Sequence, residues 1–138
     1  MSDPNGTGDV PRGLAQGYLV SIPLPARETD FPDPTSQTMF VHSVYFWLRD
    51  DLSATDRAKF VKSVTSLTTI DVVQLGFIGT PAGTNREIID TTYSYALVLT
   101  FADAAAQDAY QVHPVHDAFR ENCAGSWKKI VIYDAVSA

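Results

Sequence analysis

The chain of 138 residues has a single cysteine, Cys123, so it can form no internal disulfide. A core of ordinary packing must hold it together. One cysteine fits a reducing compartment, and a cytoplasmic setting is expected. No stretch approaches the run of about eighteen apolar residues that a membrane-spanning helix needs, so no membrane partner is expected. The N-terminus lacks a basic stretch followed by an apolar run, so no secretory signal is expected, and Asn5-Gly6-Thr7 has no meaning as a glycosylation triplet. Positive charge is scarce. Ten Lys and Arg face sixteen Asp and Glu, for a net charge of -6. The one adjacent basic pair is Lys128-Lys129, so no basic face is available and no nucleic-acid partner is expected. The loop "GTPAGTNR" has glycine but no following Lys-Ser/Thr, which excludes a phosphate-cradling loop.

Proline is unevenly spread. Six of the eight prolines, Pro4, Pro11, Pro23, Pro25, Pro32 and Pro34, lie in residues 1–37. Proline at that density blocks helix and central strand alike. Residues 1–37 therefore read as a proline-rich arm, whose apolar island is Tyr18-Leu19-Val20 with Ile22 and Leu24. Residues 38–138 read as the folded domain. Met39, at the boundary, is a second candidate start.

Beyond residue 38 the hydrophobic pattern is regular. "MFVHSVYFWL", from Met39 to Leu48, has the β-branched and aromatic content of a strand. Ser53 is a suitable N-cap for a helix whose Phe60, Val61, Val64 and Leu67 recur at helical spacing. "DVVQLGFIGT" is a second strand, "PAGTNREIID" a loop and "TTYSYALVLTF" a third strand. Asp103 caps a short helix, and Pro114 opens another at its first position, running to about Ala124. "WKKIVIYDAV" is the last strand. The order β-α-β-β-α-β, with its second helix broken at His113-Pro114, is the split βαβ or ferredoxin-like arrangement. It predicts an α+β fold with a four-stranded antiparallel sheet and helices on one face.

Alternation assigns faces. Tyr93, Tyr95, Leu97, Leu99 and Phe101 are expected to face the helices, with His42, Val44, Phe46, Leu48, Ile130 and Ile132. The other face still carries Val41, Tyr45, Trp47, Val98, Val131 and Tyr133. That is too much apolar surface to leave wet, and no further helix is available to cover it. A second copy of the sheet is expected to do so, giving a homodimer paired face to face.

The run "DAYQVHPVHDAF", with the strands "MFVHSVYFWL", "YSYALVLTF" and "WKKIVIYD", resembles the stress-responsive A/B barrel (Dabb) family of dimeric α+β barrels over roughly residues 39–136. The family includes heat-stable plant stress proteins and a plant polyketide (olivetolic acid) cyclase. The resemblance implies that two sheets pair into a dimeric barrel, with a pocket between sheet and helices in each subunit. It implies catalytic roles for Tyr110 and His116. It implies a substrate-binding wall of His42, Val44, Phe46, Phe60, Val64, Leu97, Phe119, Trp127, Ile130 and Ile132, with His113 at the rim. The implied ligand is a small apolar or aromatic acid, handled by cyclase-like or lyase-like acid–base catalysis without a cofactor. Two rival readings stand beside it: a non-catalytic stress or assembly protein, and a cofactor-free oxygenase.

The residues themselves allow these roles. His116, third in a helix, should lean neutral because the helix N-terminus disfavours a cation, and a neutral imidazole can accept a proton. The Tyr110 phenol can donate to a carbonyl oxygen. Each residue could equally be a packed core group. His113, just before Pro114, fits an N-cap better than a chemical role. The three histidines would suit zinc or copper on paper, but His113 and His116 should diverge, and no metal site is expected. Cys123 lies two turns of helix from His116, too far to pair with it, and reads as core filler. Arg86 and Asp90 flank the exit of the glycine-containing loop and read as solvated surface.

Overall fold

The computed structural model describes residues 38–138; the proline-rich arm, residues 1–37, lies outside the described residues. Four strands alternate with helices in the expected order: β1 Phe40–Leu48, α1 Ala54–Ser66, β2 Leu75–Gly79, β3 Tyr95–Phe101, α2 Ala104–Gln111, α3 Pro114–Cys123 and β4 Trp127–Val136. Single 3-10 turns follow α1 at Leu67–Thr69 and α3 at Ala124–Ser126. The sheet is antiparallel in the order β2-β3-β1-β4, so β1 is paired on both sides while β2 and β4 form the edges.

The helix starts follow from the capping residues. The Ser53 hydroxyl accepts the Asp56 N–H at 3.0 Å, and the Asp103 carboxylate accepts the Ala106 N–H at 2.9 Å. At the break between α2 and α3 the His113 Nδ1 accepts the Val115 N–H at 3.0 Å, while Pro114 takes the first helical position, where its missing donor costs nothing. Between α1 and β2 the chain passes so close that glycine is required. A Cβ on Gly76 would stand 2.6 Å from the Thr68 side chain.

Alternation along β1 is complete. His42, Val44, Phe46 and Leu48 are buried toward the helices, with Leu97, Leu99 and Phe101 beside them on β3. Phe60 and Val64 of α1 seal this layer and are fully buried. Phe60 meets Phe46 edge-on at 5.1 Å between ring centroids, and Phe119 of α3 lies 6.1 Å away.

Three expectations shift. The second strand covers Leu75–Gly79 rather than the whole of residues 71–80, because Ile70 to Val73 forms a turn in which the Val73 N–H donates to the Ile70 carbonyl at 2.9 Å. The third strand begins at Tyr95, not near residue 91. Asp90 accepts both the backbone N–H and the hydroxyl of Thr92, at 2.8 and 2.6 Å, which turns the chain there. Asp90 is thus engaged by Thr92, and this contact holds its carboxyl below the usual range. Tyr93, placed before the strand, escapes the two-residue alternation. It packs against Tyr45 at 5.1 Å and Trp47 at 6.3 Å on the outer face, not on the helix side with Tyr95.

The outer face carries these aromatics together with Phe77 and Tyr133, both more than half exposed in the single chain. Phe77 pairs with Val98, Val98 with Ser43 and Ser43 with Tyr133, so one cross-sheet row runs from edge to edge.

Candidate functional site

A cavity of about 220 Å³ lies between the inner face of the sheet and the α2–α3 corner. Its apolar floor and walls are Val44, Phe46 and Leu97 from the central strands and Ile130, Ile132 and Trp127 from β4, closed by Leu67 and Phe119. Ile130 and Ile132 face inward yet remain 36% and 50% exposed, so β4 forms the open side of the cavity. The polar groups are few and converge: His42, Tyr110, Gln111, His116 and Arg120. Besides a groove of about 470 Å³ on α3, lined by Asp117, Arg120, Glu121, Ala124 and Trp127, two larger hollows differ in kind. One, about 510 Å³ between α1 and α3, has a wet rim of Arg49, Asp56, Lys59 and Lys62. The other, about 400 Å³, is a depression on the outer sheet face lined by Tyr45, Trp47, Tyr93 and Tyr133. The smallest hollow is the one in which buried titratable groups and apolar surface coincide, the usual mark of a ligand site.

Tyr110 sits near the end of α2 and His116 at the third position of α3. The break at His113-Pro114 turns the two helices so that these rings meet edge-on, 4.8 Å between centroids. His42 reaches Tyr110 from the sheet, with centroids 5.7 Å apart. The phenol thus lies between two imidazoles. Among the described residues no hydrogen bond joins Tyr110 to either. His42 is 4% exposed, and its Nδ1 lies 2.5 Å from an Asp134 carboxylate oxygen. The two residues are register partners across β1 and β4. A carboxylate can only accept, so Nδ1–H is the donor and Nε2 is left for a ligand. The Nδ1 of His116 is buried and has no partner among the described residues.

Residues 40–137 match the stress responsive A/B barrel domain, Dabb. The chain belongs to the Dabb family. No curated protein matches its sequence. Among solved structures, a Dabb family protein with a ferredoxin-like fold from Mesorhizobium loti is 27% identical, over 72% of this chain and 96% of that one, with a TM-score of 0.59. A dimeric ferredoxin-like protein of unknown function from Thermobifida fusca is 19% identical over 72% and 92% of the two chains, TM-score 0.60. The hydroxynitrile lyase of Passiflora edulis is 18% identical over 71% and 92%, TM-score 0.61. At such identities the last two likenesses carry the fold alone.

Within this Dabb domain ten of the thirteen anticipated site residues line the cavity: Tyr110, His116, His42, Val44, Phe46, Leu97, Phe119, Trp127, Ile130 and Ile132. Three do not. Phe60 and Val64 lie one layer away, fully buried in the core between α1 and the sheet. His113 spends its Nδ1 on the Val115 N–H, which holds its ring at the helix start and off the cavity wall. Four residues of the site lay outside the sequence reading. Leu67 and Arg120 were available from helical spacing, Arg120 falling one turn beyond His116. Asp134 was available from strand alternation, sharing the parity of Ile130 and Ile132. Gln111, at the end of α2, had no signal. Among the described residues no group of three His, Cys, Asp or Glu side chains stands close enough to hold a metal ion.

The electrostatics favour neutral forms. Burial pushes the Tyr110 phenol well above its ordinary value of 10.0, so it keeps its proton. Burial is also the main cause that lowers His116 below its ordinary 6.5. The Arg120 guanidinium adds to it and His42 contributes, against opposition from Asp117 and the Gln111 backbone. These causes act in the same direction as the helix N-terminus, which also disfavours the imidazolium.

A lowered histidine pKa links folding to pH. Below about pH 6.5 the unfolded chain takes up a proton that folded His116 resists. Stability from this site should therefore be intact above that pH, decline as the pH falls, and level off once the folded pKa is passed. Urea unfolding at about pH 7.5 and 5.5 should show the loss, and His116→Gln should lessen it. Ring resonances of His116 that titrate at or above 6.5 would refute the account.

Proposed function

We propose that the cavity binds a small, largely apolar or aromatic acid that carries a carbonyl group, and that Tyr110 and His116 act on it as acid and base. The observation behind this reading is the edge-on meeting of the Tyr110 phenol and the His116 imidazole, ring centroids 4.8 Å apart, on a largely apolar wall. The phenol donates a hydrogen bond to the carbonyl oxygen. The imidazole removes a proton from the adjacent carbon. The electron pair moves onto the oxygen, where the phenol stabilises the enolate. The enolate carbon can then attack a second carbonyl, as in a cyclase, and the reaction needs no cofactor. His42, its tautomer held by Asp134, offers Nε2 to the same ligand. The cavity, about 220 Å³, is smaller than the roughly 300–1,000 Å³ typical of drug-sized ligands, which favours a single ring with short substituents.

A structural role has one observation of its own: Tyr110 is 1% exposed and packs on Phe101 at 5.2 Å. Deuterium wash-in next to the carbonyl of small aryl ketones and β-keto acids, followed by NMR in D2O, separates the two readings. The native protein should accelerate exchange for at least one compound. His116→Ala should lose about a hundredfold or more of that rate, and Tyr110→Phe a comparable share, with melting temperatures nearly unchanged. Melting temperatures that drop while ligand binding persists would favour the structural role instead.

The outer sheet face is proposed to pair with a second copy. Its aromatic cluster, the exposed Phe77 and Tyr133, and the shallow depression lined by Tyr45, Trp47, Tyr93 and Tyr133 support this. Val98→Lys would place a charge without a partner in that interface, so it should yield monomer or insoluble protein. A native protein that sediments as a monomer at micromolar concentration would rule the pairing out.

Residues 1–37 are proposed to be an arm dispensable for folding. Support comes from the sheet, whose four strands all fall within Thr38–Ala138, a compact unit by itself. A fragment of residues 38–138 should unfold cooperatively with the urea midpoint of the whole chain, and a fragment that fails to fold would move the boundary.

A further inference from the structure

We infer that Arg120 is the anion anchor of this cavity, and that it sets specificity by pairing with the carboxylate of an acid whose apolar body fills the pocket. The inference rests on the cavity being a ligand site. His116 and Arg120 are four residues apart on α3, hence neighbours on one helical face, and both line the cavity. Arg120 is exposed, whereas Phe46, Leu97 and Phe119 deeper in the pocket are buried. The positive charge therefore stands at the mouth and the apolar surface lies beneath it. A ligand with a charged head and an apolar tail would enter tail first.

Among the described residues the guanidinium is also uncommitted. Asp117 and Glu121 lie on the same helix, yet among the described residues no carboxylate comes within ion-pair distance of Arg120. Its charge also favours the neutral form of His116, beside burial as the main cause. Of the other polar groups on the wall, Tyr110 keeps its proton and Gln111 is uncharged. The carboxylate of Asp134 is taken up by His42 and repels a second anion there. Arg120 is the one arginine or lysine in the lining. Its planar fork suits a carboxylate through two parallel hydrogen bonds.

Calorimetric titration of the full chain with 4-propylbenzoate and its neutral isostere 4-propylbenzamide tests this. The native protein should bind the acid about tenfold or more tightly than the amide. Arg120→Gln should erase that preference by weakening the acid far more than the amide, and Arg120→Lys should keep part of it. Added salt should weaken the acid and spare the amide. Equal affinity of the native protein for both probes, or a preference that survives Arg120→Gln, would overturn the assignment of Arg120 while leaving the cavity a ligand site. If neither probe binds, the ligand-site reading fails and this inference falls with it.

Discussion

The hydrogen bond from the Val115 N–H to the His113 ring, with proline locked in between, governs the geometry of the site. A continuous helix from Ala104 to Cys123 would carry Tyr110 and His116 on one rod, six residues apart and nearly two turns along the axis. Proline cannot extend α2, and the residue before it avoids the helical region. The chain must therefore stop and restart. His113 satisfies a donor at the new start that would otherwise go unpaired. The second helix sets off in a new direction, which brings the two rings edge to edge. One histidine organises the backbone so that another can face the cavity.

The sheet supplies the complementary half. β1 is the central strand on this side, held by β3 and β4, and its inward residues cannot be displaced without breaking two ladders. His42 therefore enters the cavity from the most firmly held element. Burying an imidazole there is tolerable because Asp134 meets it directly across the ladder. The helix corner and the strand pair thus hold a polar cluster inside apolar walls, where dispersed charge would be costly.

The element order was legible because each helix start carries a local capping signal and each strand a period of two. Ser53, Asp103 and His113-Pro114 announce their helices within four residues of sequence. The inward face of β1 follows from simple alternation. What stayed hidden depends on contacts between distant segments. Phe60 and Val64 share the apolar character of the cavity wall, and only the packing of α1 against the sheet assigns them to the core. Tyr93 obeys alternation on paper, but the Asp90–Thr92 turn breaks the phase before the strand begins. The pairing of His42 with Asp134 requires the register of two strands more than ninety residues apart, for which no local pattern exists.

The cavity opens along β4, which among the described residues is an edge strand with a neighbour on one side only. Edge strands detach at lower free energy than central ones, because fewer hydrogen bonds and less buried surface are lost. Ile130, Ile132 and Asp134 ride on that strand, whereas His42, Tyr110 and His116 sit on elements anchored elsewhere. Local fraying of β4 would thus widen the entrance and release the carboxylate from His42 in one motion, with the opposing rings left in place. Such an opening would couple access to the cavity with the tautomer of His42 through one edge of the sheet.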